Sequence, residues 1–124
     1  MTDPRTAPVT TTDAGIVTVR CAGEVDVGAA PHLRDALRAP IRGHARGVVA
    51  DLSAATFCDS MVLTVLFEAH RDAQAHDVPF AIAADGPAVT RPLELLGLDR
   101  LLPLHPAAAA ARAAVTGTPE PRRP

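Results

Sequence analysis

The sequence predicts an α/β fold, a single domain in which a small mixed β-sheet of four to five strands is packed with about four helices. Strand-like stretches alternate with stretches whose apolar residues recur every three or four positions, the order expected when helices cover a sheet. Turn-forming residues stand between them, at Asp13-Ala14-Gly15, Asp59-Ser60, Asp85-Gly86-Pro87 and Gly97. The chain has 124 residues, enough for one core that buries roughly two-thirds of the unfolded chain's surface and too few for two.

Val9–Thr12 is a weak strand candidate, joined through Asp13-Ala14-Gly15 to Ile16–Cys21 as a hairpin. The second segment has period two, with Val17, Val19 and Cys21 on one side and Ile16, Thr18 and Arg20 on the other, so it reads as half-buried. Gly23-Glu24-Val25-Asp26 ends it. A helix is expected from Asp26 or Gly28 to about Ala39, stopped by Pro40. Val48–Leu52 is a continuous apolar strand carrying Asp51, as in a sheet interior. After Ser60, Val62, Val65, Leu66, Ala69 and Ala73 form the stripe of a core-facing helix reaching about His76. Pro79–Ala84 is a further strand, and Thr90–Leu96 is helical with Gly97 just beyond it. Leu98–Leu104 has room for a short strand, and Pro106 opens an Ala-rich helix to about Val115. Residues 1–8 are expected to be a flexible start, 9–115 the domain, and 116–124, with Pro119, Pro121 and Pro124, a disordered Pro/Arg tail.

Composition excludes several functions. Twelve basic residues, all Arg, face 14 acidic ones, and no basic run or basic helical face is evident, so direct nucleic-acid binding is not expected. Trp and Tyr are absent and only Phe57, Phe67 and Phe80 remain, which also removes stacking platforms for single strands. No apolar run approaches the roughly 20 residues of a membrane span, and the first twelve residues lack the features of a secretory signal, so the expected location is cytoplasmic without a membrane partner. Cys21 and Cys58 match no metal or redox spacing and read as reduced core residues. The five histidines are scattered, and His70 and His76 fall on different sides of a helix, so no metal site is expected. Without any Lys a P-loop nucleotide site is excluded, and no cofactor is expected.

The segment richest in chemical content is Val48–Leu66, where a strand runs through a turn into Asp59-Ser60 and then a helix. Asp and Ser both favour a helix start, because a side-chain oxygen accepts an N–H that the first turn leaves unpaired. Those N–H groups and the helix dipole favour negative charge there. A phosphate on Ser60 would be tolerated locally, yet would alter the surface by nearly two charges. From the local sequence alone, the first reading of Ser60 is a simple helix cap. Glu24 and Asp26, two apart, read as a strand-end acid and a helix-capping acid rather than a catalytic pair. Asp51 has two readings, a pocket-lining acid or a strand-end group with a backbone partner. A hydrolase on Ser60 would need a Gly-x-Ser-x-Gly elbow and a base held by an acid, and neither pattern is present, so no catalytic residue is assigned and the protein is read as a non-enzyme.

Gly23-Glu24-Val25-Asp26, Val48-Val49-Ala50-Asp51-Leu52, Phe57-Cys58-Asp59-Ser60 and Leu96-Gly97-Leu98-Asp99-Arg100-Leu101 occur in the order and spacing of the STAS family, the anti-sigma factor antagonist domains, which the chain resembles over roughly Val9 to Val115. Its heavy use of Ala, Arg and Pro without Lys suits a GC-rich bacterial genome. The resemblance implies a small mixed sheet with helices and a protein that acts by binding. In typical members a Ser followed by a small residue and Gly is phosphorylated by a partner that is both anti-sigma factor and serine kinase, while the unphosphorylated form captures that partner and frees a sigma factor for transcription. The resemblance then makes Ser60 the phosphoacceptor and Asp26, Asp59, Met61 and Val62 partner-binding residues, with Asp59 shaping the turn and holding the hydroxyl. Two departures stand out: Met61 replaces a small residue and Val62 replaces Gly, which narrows close approach to the helix backbone. Val62 therefore has two readings, a recognition device or a core residue. The alternative for the whole chain is a STAS scaffold or interaction module in a bacterial signalling complex, with Ser60 only a cap.

Overall fold

The structure, a computed structural model, describes residues 7–117. A five-stranded mixed sheet has the order β1 (Val9–Asp13), β2 (Ile16–Arg20), β4 (Gly47–Asp51), β6 (Phe80–Ala83) and β7 (Leu104–His105). Only β1 is antiparallel to its neighbour. A second sheet pairs β3 (Gly23–Val25) with β5 (Ala55–Cys58) in parallel. The helices are α1 (Ala30–Arg42), α2 (Ser60–Ala75), α3 (Pro87–Leu95) and α4 (Ala108–Thr116).

The β1–β2 hairpin turns through Ala14 (φ 52°) and Gly15 (φ 80°), the two consecutive positive angles that match the twist of a two-residue turn. In β4 every residue is buried, because helices cover both faces of the sheet. Val48 and Ala50 join Val19, Ile82, Leu33, Leu37 and Leu66 in the main core, whereas Val49 joins Ile16, Ala81, Ala111 and Val115 beneath α4. Ile16 is thus buried as well as Val19, so β2 is more enclosed than its alternation suggested. Gly47 lets α4 lie close, since a Cβ there would stand 2.9 Å from the Val115 side chain. The stripe Val62, Val65, Leu66, Ala69 and Ala73 is buried as its spacing requires.

Several expectations are corrected. Gly23–Val25 is not merely a strand end but pairs with β5, which was not anticipated at all; both strands are too short to show a period. Helix α1 starts at Ala30, after a turn in which Ala29 N donates to Asp26 Oδ1 at 3.2 Å. It also continues past Pro40 to Arg42, because a proline forfeits one N–H near the helix end while the fully buried Ile41 anchors the last turn in the core. The last helix begins at Ala108, not Pro106, and α3 begins at Pro87. A basic helical face does exist, since Arg34, Arg38 and Arg42 recur every four residues along α1. The flexible start and the disordered tail lie outside the described residues but for their inner ends, where Thr116 closes α4 and Gly117 caps it at φ 70°.

Cys21 and Cys58 are free, buried thiols. Burial first and the Asp51 carboxylate second push Cys21 from 9.0 up to about 11. Cys58 is pushed up to about 12 by burial, then by Cys21 and Asp59. Folded values above the unfolded ones mean that the neutral thiols lend stability in full below about pH 9, which is lost as pH rises toward 11 and 12. Urea unfolding should therefore show a midpoint that is level near neutrality and falls above about pH 9, and both thiols should resist a disulfide reagent at pH 7 until the protein unfolds. Rapid native labelling would contradict this burial.

Candidate functional site

The site is built at the junction of the small sheet and α2. Asp59, in extended conformation (φ −68°, ψ 151°), is the N-cap of α2, and its Oδ1 accepts Met61 N–H at 2.9 Å. Its backbone carbonyl accepts from Val62 N at 2.9 Å, while its own N–H donates to Val25 O at 3.0 Å. The helix start is thereby tied to β3 next to the Val25–Cys58 pair. Such a cap contributes about 1 kcal/mol. Asp59 thus holds the backbone; among the described residues it does not hold the Ser60 hydroxyl, as had been expected.

Ser60 is the first residue of α2 and is exposed. Its hydroxyl makes no hydrogen bond to a described residue, whereas its carbonyl accepts from Thr64 Oγ1 at 3.2 Å. The capping is done by Asp59, so the cap reading passes from Ser60 to its neighbour and leaves the hydroxyl uncommitted. Met61 follows at 43% exposure. Val62 is fully buried, which removes its side chain from the accessible surface and corrects its assignment as a partner-binding residue: it fills the core between α2 and the sheet. Asp26, exposed, lies one residue beyond the Val25–Cys58 pair, close in the fold to Asp59.

Two residues not singled out in the sequence join this surface. Phe57, 49% exposed, lies in β5 opposite Glu24 of β3, a strand too short to announce which way its side chains face. Val27, 59% exposed, sits in the turn between Asp26 and α1, where no local signal marks it. Phe57, Met61 and Val27 are thus exposed apolar side chains in the segments around Ser60, with Glu24 paired to Phe57 across the small sheet and Asp26 and Asp59 each one residue beyond the Val25–Cys58 pair. Asp51, by contrast, is 6% exposed and accepts from Ser53 N at 3.0 Å and Ser53 Oγ at 2.6 Å, so it shapes the end of β4. Among the described residues no cluster of His, Cys, Asp or Glu is placed to hold a metal ion, and no helix is long and apolar enough to cross a membrane.

The model of the STAS domain matches residues 7–111. The chain belongs to the STAS domain family. An anti-sigma-F factor antagonist, RsfB of Mycobacterium tuberculosis, is 32% identical over 101 residues, which cover 81% of this chain and 82% of that one. The crystal structure of an anti-sigma factor antagonist from Mycobacterium paratuberculosis superposes with a TM-score of 0.80 at 32% identity, over 93% of this chain and 98% of that one. The antagonist SpoIIAA in its unphosphorylated form shares the fold, with a TM-score of 0.77 at 18% identity over 92% of this chain and all of its own. The Bacillus protein in its phosphorylated form gives 0.66 over 84% and 96% at the same identity. This STAS domain therefore has the α/β architecture that the motifs implied, with the β3–β5 pair as the element that seats the start of α2.

Proposed function

We propose that this STAS domain is a cytoplasmic anti-sigma factor antagonist that is not itself an enzyme. Unphosphorylated, it binds an anti-sigma factor with serine kinase activity through Phe57, Met61, Val27 and the acidic edge of Asp26 and Asp59. Phosphorylation of Ser60 by that partner releases it, so that sigma-factor-dependent transcription follows the phosphorylation state.

The observation that carries this reading is the exposed Ser60 at the first position of α2, its hydroxyl free of described partners, with exposed apolar side chains in the segments around it. A kinase needs a hydroxyl it can reach. The relatives at 32% identity are both named as anti-sigma factor antagonists, which supports the partner class. A phosphate on Ser60 gains from the helix dipole, but Met61 N–H is already taken by Asp59, and Asp59 and Asp26 add like charge nearby. The modification is therefore tolerated by the fold and felt at the surface.

Met61 gives the alternative its one structural support: a long exposed side chain directly after Ser60 crowds an approaching active site. Under that reading the domain is a fixed interaction module. Incubation with a kinase-type anti-sigma factor of the same organism, with ATP and Mg²⁺, separates the two. One phosphate per chain, mapped by mass spectrometry to Ser60 and absent in Ser60→Ala, is the expected result. A stable complex without any phosphate transfer would favour the fixed module.

A further inference from the structure

Away from Ser60, the groove between α1 and α2 gathers basic side chains over an apolar floor. Arg34, Arg38 and Arg42 line it from α1 and Arg71 from α2, around a cavity of about 500 Å³ floored by Val65, Phe67 and Ala69. Arg34 Nε lies 3.1 Å from Glu68 Oε2, and Arg42 Nε lies 3.5 Å from Asp72 Oδ2. Arg38 stands between these pairs and Arg71 across from them, both exposed, and neither has a carboxylate partner among the described residues. Four guanidinium groups against two carboxylates leave a surplus of two positive charges, on a chain whose formal net charge is −2.

We propose that this groove is a second docking surface, independent of the proposed switch, for an acidic amphipathic segment of a partner protein. Charge complementarity argues for the occupant. Arg34 to Arg42 spans about 12 Å along α1, two helical turns, which suits a rod-like segment better than a point anion. The apolar floor calls for hydrocarbon from the same ligand, and the planar guanidinium groups pair with carboxylates in two-pronged fashion. Glu68 and Asp72, set among the arginines, would press against the phosphates of a nucleic acid or an anionic membrane, and a concave floor is out of reach of a flat bilayer. A carboxylate-bearing side chain can instead place its charge at Arg38 and Arg71 and avoid the two acids.

The test is a titration of ¹⁵N-labelled protein followed by NMR, with a synthetic helical peptide of Glu and Leu about 14 residues long, enough to cover the groove. Amide shifts should gather on residues 34–42 of α1 and 65–75 of α2, and the affinity should fall roughly tenfold in Arg38→Gln/Arg71→Gln, at about two- to fivefold per exposed charge contact. Neither arginine has an ion-pair partner among the described residues, so the double variant should melt like wild type. Wild-type affinity should also drop between about 50 and 300 mM salt, a readout that needs no variant. The proposal is overturned if a Gln-for-Glu peptide binds as well, if the shifts lie elsewhere, or if salt and the double variant have no effect. Stronger effects on the same amides from inorganic phosphate, from phosphatidylglycerol vesicles or from duplex DNA would likewise overturn it in favour of that ligand.

Discussion

Replacing Val62 by Gly should lower the unfolding free energy by about 2 to 4 kcal/mol while leaving partner choice unchanged. The side chain is fully buried in the main core, so its removal loses roughly 1.5 to 3 kcal/mol of apolar burial, and glycine in the first helical turn adds up to about 1 kcal/mol. For a chain of this size the melting temperature should drop by on the order of 10 °C. Urea or thermal unfolding measures it. A stable Val62→Gly protein with a broadened partner range would return Val62 to the recognition surface. Met61→Ala is the complementary change: at 43% exposure it should leave stability within about 0.5 kcal/mol and alter affinity across a panel of anti-sigma factors.

The second large effect belongs to Ser60. Asp at this position should weaken binding to the kinase-type anti-sigma factor, and a phosphate should weaken it further. A charge of about −1.5 to −2, forced against a packed contact that already holds Asp26 and Asp59, brings repulsion and desolvation. A cost of about 2 to 3 kcal/mol corresponds to a roughly 30- to 150-fold loss of affinity, enough to exchange partners. Ser60→Ala keeps the neutral surface and should bind as the unphosphorylated protein does. Because Ser60 is exposed and Asp59 supplies the cap, neither variant should unfold the domain, so a loss of binding reads the surface and not the fold.

The parts of this fold that the sequence displays are those where burial imposes a period. Val62, Val65, Leu66, Ala69 and Ala73 announce α2 because one face of a helix must meet the core, and Val48–Leu52 announces a central strand because both of its faces do. The β3–β5 pair is silent for the opposite reason: three and four residues, with Glu24 and Phe57 facing out, hold no repeat to detect. Pro40 misleads because local chemistry says stop, while the burial of Ile41 one residue later says continue, and the tertiary contact prevails. At the site, Ser60 and Asp59 are legible as a helix start, but their division of labour is not. Both can cap, and only the geometry shows that Asp59 does so and leaves Ser60 uncommitted. Val62 illustrates a position where a departure from the family pattern looks like recognition in one dimension and is packing in three. The basic face of α1 escapes a linear reading because its arginines are separated by residues such as Asp35, and only the helix collects them.

The proposed switch stands on one comparison, calorimetric titration of the kinase-type anti-sigma factor with unphosphorylated protein and with protein phosphorylated at Ser60. The expected result is tight binding by the first and an affinity roughly 30- to 150-fold lower for the second, with Ser60→Ala matching the unphosphorylated form. Equal affinities for the two forms would contradict it.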